Sequence, residues 1–108
     1  MSGLSTHVLD TTTGLPGVAI TVTHSFNGVV QASAITNSDG RVPDLLQGRS
    51  LSAGSHTLTF DVAPYFAKDA RETFFSNINI DFVVTDTSRH HHVPLLLSPF
   101  SFSTYRGS

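Results

Sequence analysis

Apolar residues recur at every second position along much of this chain, in runs too short and too often interrupted for helices. Val18, Ile20 and Val22 fall on one face of an extended segment, with Ala19, Thr21 and Thr23 on the other. Leu58, Phe60 and Val62 repeat the pattern within residues 56–62, and Ile78, Ile80, Phe82 and Val84 repeat it after Phe74 and Phe75. A strand of this kind buries one side and wets the other, so the runs must pack face to face as sheets. Asn27-Gly28 is a hairpin signal, because both central residues of a type I′ turn need positive φ. Residues 29–36 are then the return strand. Asn37-Ser38-Asp39-Gly40 is a second turn, and Arg41 stands directly after it.

The remaining segments fit the same plan. Residues 6–9 form a first strand ended by Asp10 and the threonines before Gly14, and Leu15-Pro16-Gly17 is a turn. Pro43 to Gly54 is a loop with room for one short edge strand. Residues 65–71 break the alternation and allow two helical turns, with Pro64 suited to the first helical position. Thr85 to Ser88 is a turn, followed by strands at 91–97 and 101–105 joined around Ser98-Pro99. The sum is an all-β, two-sheet sandwich of about seven or eight strands with one short helix. At 108 residues the chain is expected to be a single domain, 1–108, small enough that oligomerisation is a natural way to bury more surface.

Composition narrows the chemistry. The chain has no cysteine, which excludes disulfides, thiolate catalysis and cysteine-ligated metals. Its formal charge is −2, and its cations are Lys68 and scattered arginines, so no nucleic-acid partner is expected. No apolar run approaches the roughly 20 residues of a membrane span, and no membrane partner is expected. The opening MSGLSTHVLD lacks the pattern of an export signal, so the expected location is the cytoplasm. A peroxisomal location stays open for a eukaryotic protein, although the ending RGS is not an SKL-type address.

Candidate chemistry gathers in Arg89 to Ser108, RHHHVPLLLSPFSFSTYRGS. On an extended strand His90 and His92 share one face, while His91 shares the other with Val93, Leu95 and Leu97. The Val93 side is the expected core, so His92 projects outward. Read plainly, the histidine run is a solvated strand start. Two same-face histidines supply part of a zinc site, but no HExxH motif or well-spaced carboxylate completes it, so no metal is expected. His7 in an apolar strand, Arg41 after a turn and Arg106 near the end are each unremarkable alone. His24 and His56 read as surface or strand-face histidines.

Three blocks in order carry a resemblance that spans essentially the whole chain: Leu4-Ser5-Thr6-His7-Val8-Leu9-Asp10, Thr36-Asn37-Ser38-Asp39-Gly40-Arg41, and HVPLLLSP followed by STYRGS. Together they resemble the 5-hydroxyisourate hydrolases, the enzymatic relatives of transthyretin. The resemblance implies a transthyretin-like sandwich, a homotetramer of two-fold symmetry with sites at subunit interfaces, and no cofactor. It implies 5-hydroxyisourate as substrate and 2-oxo-4-hydroxy-4-carboxy-5-ureidoimidazoline as product, in urate breakdown. It also implies a site made of His7, Arg41, His92 and Tyr105-Arg106-Gly107-Ser108. His7, Arg41, His92 and Ser108 would be catalytic, and His7, Arg41 and the Tyr105–Ser108 tetrapeptide would bind substrate. The chain departs from the commonest pattern in having His91 where many members have tyrosine, and Ser101-Phe102-Ser103 where many have GYS. Neither departure touches the matched site residues.

That constellation suits hydrolysis of a cyclic amide. Water needs a base, the departing nitrogen an acid, and histidine serves both near neutral pH. Guanidinium donors stabilise an oxyanion and fit the oxygen-rich edge of a purine-derived ring. With neither a GxSxG serine nor a cysteine present, attack by water is favoured over a covalent intermediate. Which histidine is the base stays open at this stage. The rival readings are a transthyretin-type carrier of small aromatic ligands and a structural sandwich without a site.

Overall fold

The computed structural model describes residues 3–108; Met1 and Ser2, the start of the segment read for an export signal, lie outside the described residues. The strands are β1 (Gly3–Asp10), β2 (Leu15–Pro16), β3 (Thr21–Phe26), β4 (Val29–Ile35), β5 (Arg41–Val42) and β6 (Gly54–Asp61). Helix α1 (Ala63–Ala67) precedes β7 (Ile78–Val84), β8 (His90–Leu97) and β9 (Phe102–Thr104). One sheet runs β2-β1-β8-β9 with β5 also on β1, and the other runs β4-β3-β6-β7. The architecture is the expected sandwich, with β2 and β5 as two-residue additions.

Most pairings are antiparallel, but β1 and β8 lie parallel, from Gly3 opposite His90 to Asp10 opposite Leu97. This pairing sets Ser5 beside His92 and His7 beside Pro94. On the other side of β1, Arg41 lies directly opposite His7. The period of two then sorts the side chains. Leu4, Thr6 and Val8 point inward with Val93, Leu95 and Leu97, all buried, while Ser5 and His7 share the outer face with His90 and His92. The inner face of the second sheet contributes Val22, Leu58, Phe60, Ile78, Ile80 and Val84. Each such side chain stabilises the fold by about 1.5–3 kcal/mol. Thr6, the one polar member of the β1 row in mid-strand, donates its hydroxyl to the Val93 carbonyl at 2.6 Å.

Phe66 of α1 is fully buried beneath the helix. The same end holds a polar clasp. The buried Asp10 carboxylate accepts from Tyr65 Oη at 2.8 Å, Arg71 Nη2 at 2.8 Å and the Thr12 amide at 3.0 Å. Burial alone would raise its pKa, but the bonds from Arg71 and Tyr65 hold it below the usual carboxylate value. Tyr65 is pushed up to about 12 by burial and by the Asp10 carboxylate.

The local departures have physical reasons. Leu15 and Pro16 are not a turn but β2, paired with Asp10 and Leu9, because the chain has already reversed where the Gly14 amide bonds the Asp10 carbonyl at 2.8 Å. The strand expected from Val18 begins at Thr21, since Ala19 takes a φ of 62° in a turn. Ile20 and Val22 do face inward as expected, whereas Val18 is only half-buried. The helix stops at Ala67 rather than running to residue 71; Ala70 takes a φ of 55°, and Arg71 then lies over the Phe66 and Tyr65 rings on its way to Asp10. The Asn27-Gly28 hairpin forms as expected, with φ of 50° and 81°. Among the described residues no helix is long and apolar enough to cross a membrane.

Candidate active site

Arg41 is delivered by a loop closed by its own hydrogen bonds. The Asn37 side-chain oxygen accepts from the amides of Asp39 at 2.9 Å and Arg41 at 3.0 Å, and the Asn37 amide donates to the Arg41 carbonyl at 2.9 Å. Gly40 adopts a φ of 73° and gives its carbonyl to the Val8 amide at 2.8 Å. Any side chain at Gly40 would run into the Val8 carbonyl oxygen, so this turn admits only glycine. The loop is thereby tied to β1, and Arg41 emerges exposed on the outer face opposite His7. Among the described residues no side chain pairs with its guanidinium.

The end of the chain is fastened to the same place. The Gly107 amide donates to the His92 carbonyl at 2.8 Å, an isolated bridge beyond β9. A methyl group at Gly107 would meet His92 Cδ2 at 2.5 Å, so the bare backbone lies against the imidazole. Ser108 is thereby carried to the rim of an open cavity of about 310 Å3 lined by Ser5, Thr6, Arg41, Pro43, His90, His92 and Ser108. That volume is at the low end for small-molecule sites. Within it the Ser5 hydroxyl lies 2.7 Å from His90 Nε2 and 2.8 Å from His92 Nδ1. The pKa of His92 is lowered by burial, then by the charges of Arg41, His7 and His90. His92 is therefore a neutral imidazole near neutral pH.

The structure thus brings together Arg41, His92 and Ser108, with His7 alongside Arg41. Tyr105 and Arg106 are not brought there. They line a second, more apolar cavity of about 230 Å3 with Ile80, Asp81, Phe82, Val83 and His91, which touches the first at His92. The tetrapeptide splits because only Gly107 and Ser108 fold back over His92. Sequence reading missed Ser5, whose parity with His7 was a usable signal, and it left the part played by His90 open. Of the two readings of His24 and His56, surface or strand-face, the strand-face one holds: they lie on β3 and β6, on the inward face, 2% and 1% exposed, joined by a 2.8 Å bond from His24 Nε2 to His56 Nδ1. Their parity with Val22 and with Leu58 marked them as inward. Among the described residues no group of three or more His, Asp or Glu side chains is placed to hold a metal ion.

A transthyretin-like sandwich with a His/Arg cluster on the outer face of its β1-β8 sheet is a defined class of protein. The chain belongs to the HIUase/Transthyretin family, whose model matches residues 4–107. It is 43% identical to the 5-hydroxyisourate hydrolase of Deinococcus radiodurans, over 98% of this chain and 96% of that one. It superposes on the structure of Klebsiella pneumoniae 5-hydroxyisourate hydrolase with a TM-score of 0.90 at 42% identity, covering 100% of this chain and 94% of that one. Sea bream transthyretin superposes with a TM-score of 0.89 at 25% identity, covering 97% and 94%.

Proposed function

We propose that this chain is a hydrolase of 5-hydroxyisourate, a single catalytic domain that opens the cyclic amide with water to give 2-oxo-4-hydroxy-4-carboxy-5-ureidoimidazoline. The observation that carries the reading is the convergence of Arg41, His92 and Ser108 on one cavity, with His7 in register beside Arg41. His92 is the base. It is neutral near neutral pH, its Nδ1 is engaged by Ser5, and Nε2 is left to take a proton from water. Arg41, unpaired among the described residues and next to His7, binds the oxygen-rich edge of the ring and stabilises the oxyanion as the carbonyl becomes tetrahedral. His7 or the protonated His92 then returns a proton to the departing nitrogen. Ser108 closes the rim over the substrate.

The working unit is a homotetramer of two-fold symmetry. The chain alone leaves Phe74 77%, Val83 69% and Phe102 40% exposed near its β7 and β9 edges, and its site lies open on a sheet face. A subunit interface would supply the walls.

Purified protein added to urate and urate oxidase is expected to speed the decay of the hydroxyisourate ultraviolet signal well beyond its spontaneous rate, with and without chelator. Folded protein that gives no acceleration across pH would refute the reading. Light scattering is expected to report a tetramer; a stable monomer with full activity would remove the interface from the site. Transthyretin-type carriage of an aromatic ligand predicts binding without turnover in the same assay.

A further inference from the structure

We propose that Ser5 and His90 are positioning residues that fix the proton on His92 through a hydroxyl-centred relay. The inference rests on the reading of His92 as the base. A serine hydroxyl has one proton to give. At 2.7 Å from His90 Nε2 and 2.8 Å from His92 Nδ1, Ser5 Oγ bonds both rings. When it donates to one neutral imidazole and accepts from the other, the two rings cannot choose tautomers independently, and this is the arrangement proposed.

Two arrangements place the hydroxyl proton between the rings; in a third, both rings donate to Oγ, the hydroxyl proton turns away and the rings carry different tautomers. In the first, His92 Nδ1–H donates to Ser5 Oγ, the hydroxyl donates to His90 Nε2, and both rings are Nδ1–H tautomers. His92 Nε2 is then bare and able to accept a proton from water. In the second, His90 Nε2–H donates to Ser5, the hydroxyl donates to His92 Nδ1, and both rings carry their proton on Nε2. His92 is then unable to act as a base. The relay works in the first arrangement. When His92 Nε2 takes the proton, the Nδ1–H bond to Ser5 strengthens, because the donor is now charged. The hydroxyl stays oriented because His90 Nε2 accepts from it. The one covalent change is the proton's move from the attacking water's O–H to His92 Nε2, while the bonds at Ser5 and at His92 Nδ1 stay as they are.

The fold holds this geometry. Ser5 is in register with His92 on the parallel strand pair, and its side chain is nearly buried although it lies on the outer face, covered by the two rings. The groups facing His92 from other elements are His7 on β1 and Arg41 on β5. Neither of them is bonded to its Nδ1, so Ser5 is the partner that decides the tautomer.

The test combines ring nitrogen NMR with kinetics. In protein labelled with 15N-histidine, His90 and His92 are both expected to be Nδ1–H tautomers near neutral pH, and Ser5→Ala is expected to uncouple them. The same variant should keep the fold and KM while kcat falls about 10- to 100-fold, as when a base loses the group that sets its tautomer. His90→Leu should lower kcat in the same direction, and His90→Gln, whose amide oxygen can still accept, should recover part of that loss. Different tautomers on the two rings, or Nε2–H on His92, would overturn the relay, as would wild-type kcat in Ser5→Ala. Wild-type kcat in His90→Leu would remove His90 from it. An inactive wild-type protein would instead refute the assignment of function, and the NMR arm would still decide where the protons sit.

Discussion

Two histidine pairs occupy this sandwich, and they differ in what holds their protons. His24 on β3 and His56 on β6 face the interior, where His56 Nε2–H donates to the Ser52 carbonyl at 2.8 Å. A carbonyl can only accept, so His56 Nδ1 is bare, His24 Nε2–H donates to it, and the order of protons is fixed. His90 and His92 on β8 face outward and are bridged by a hydroxyl, which can turn round. The inner pair is flanked by Phe26 and Phe82, with ring centroids 4.8 and 5.5 Å from His56. Among the described residues His24 Nδ1 is buried without a hydrogen-bond partner. The outer pair opens on a cavity that Arg41 and Ser108 share. On the reading proposed above, one residue type does two jobs: packed against aromatic rings it is a packing unit, and facing a cavity through a reversible donor it is a proton carrier.

The sharpest way to break this comparison is to delete one histidine from each pair. His92→Ala should lower kcat/KM by roughly 10²- to 10⁴-fold, the usual contribution of a general base, with little change in stability because the ring is half on the surface. His56→Ala should do the reverse. It leaves a void among Phe26 and Phe82 and strands the His24 donor, costing about 2–4 kcal/mol in urea unfolding at fixed protein concentration, while turnover per folded site is kept. A stable but inactive His56→Ala protein would erase the distinction.

Acid separates the pairs more finely. Burial lowers the His24 pKa to about 4, with the charges of His56 and Arg49 acting in the same direction. The unfolded chain, with a histidine pKa near 6.5, then binds the proton that the native state refuses. Stability is accordingly full above about pH 6.5 and is lost as pH falls toward 4, by roughly 2 kcal/mol from this group. Over that window the stability of His24→Phe relative to wild type should rise by about the same amount as pH falls, because the variant has no proton to refuse. If the unfolding curves of the two proteins keep a constant offset, His24 is not the group responsible.

How far these roles could be read from the chain depends on parity. Alternation with Val93, Leu95 and Leu97 was enough to turn His92 outward, and the turn before Arg41 was plain from Asn37 to Gly40. The same rule turns His24 and His56 inward on their strand faces, but a histidine carries no hydrophobic signal of its own, which leaves a surface reading standing beside the strand-face one. Pairing between distant strands was not legible. Ser5 meets His92 only because β1 and β8 run parallel, a fact of topology with no local mark. The split of Tyr105 and Arg106 from Ser108 was hidden for a like reason, since residues outside a regular strand have no parity to read.

The smallest expected effect tests how firmly the outer pair is held. Gly107 lies against His92, and an added methyl would sit 2.5 Å from Cδ2 and 3.1 Å from Cβ and Cγ. Those distances are inside van der Waals contact, so in Gly107→Ala either the imidazole tilts or the end strand lifts. Beyond β9 the segment is held there by one backbone bond, from the Gly107 amide to the His92 carbonyl. Lifting it costs about 0.5–1.5 kcal/mol, less than forcing a side chain between Arg41, Ser5 and Gly107 off its rotamer and out of its hydrogen bond. The strand should therefore move, taking Ser108 from the cavity rim and leaving the Ser5–His92 bond in place. The kinetic signature is a rise in KM of about tenfold with kcat nearly kept, because substrate closure is weakened while the base stays aimed. A fall in kcat with unchanged KM would show that the ring had moved instead, and would make Gly107 part of what orients His92.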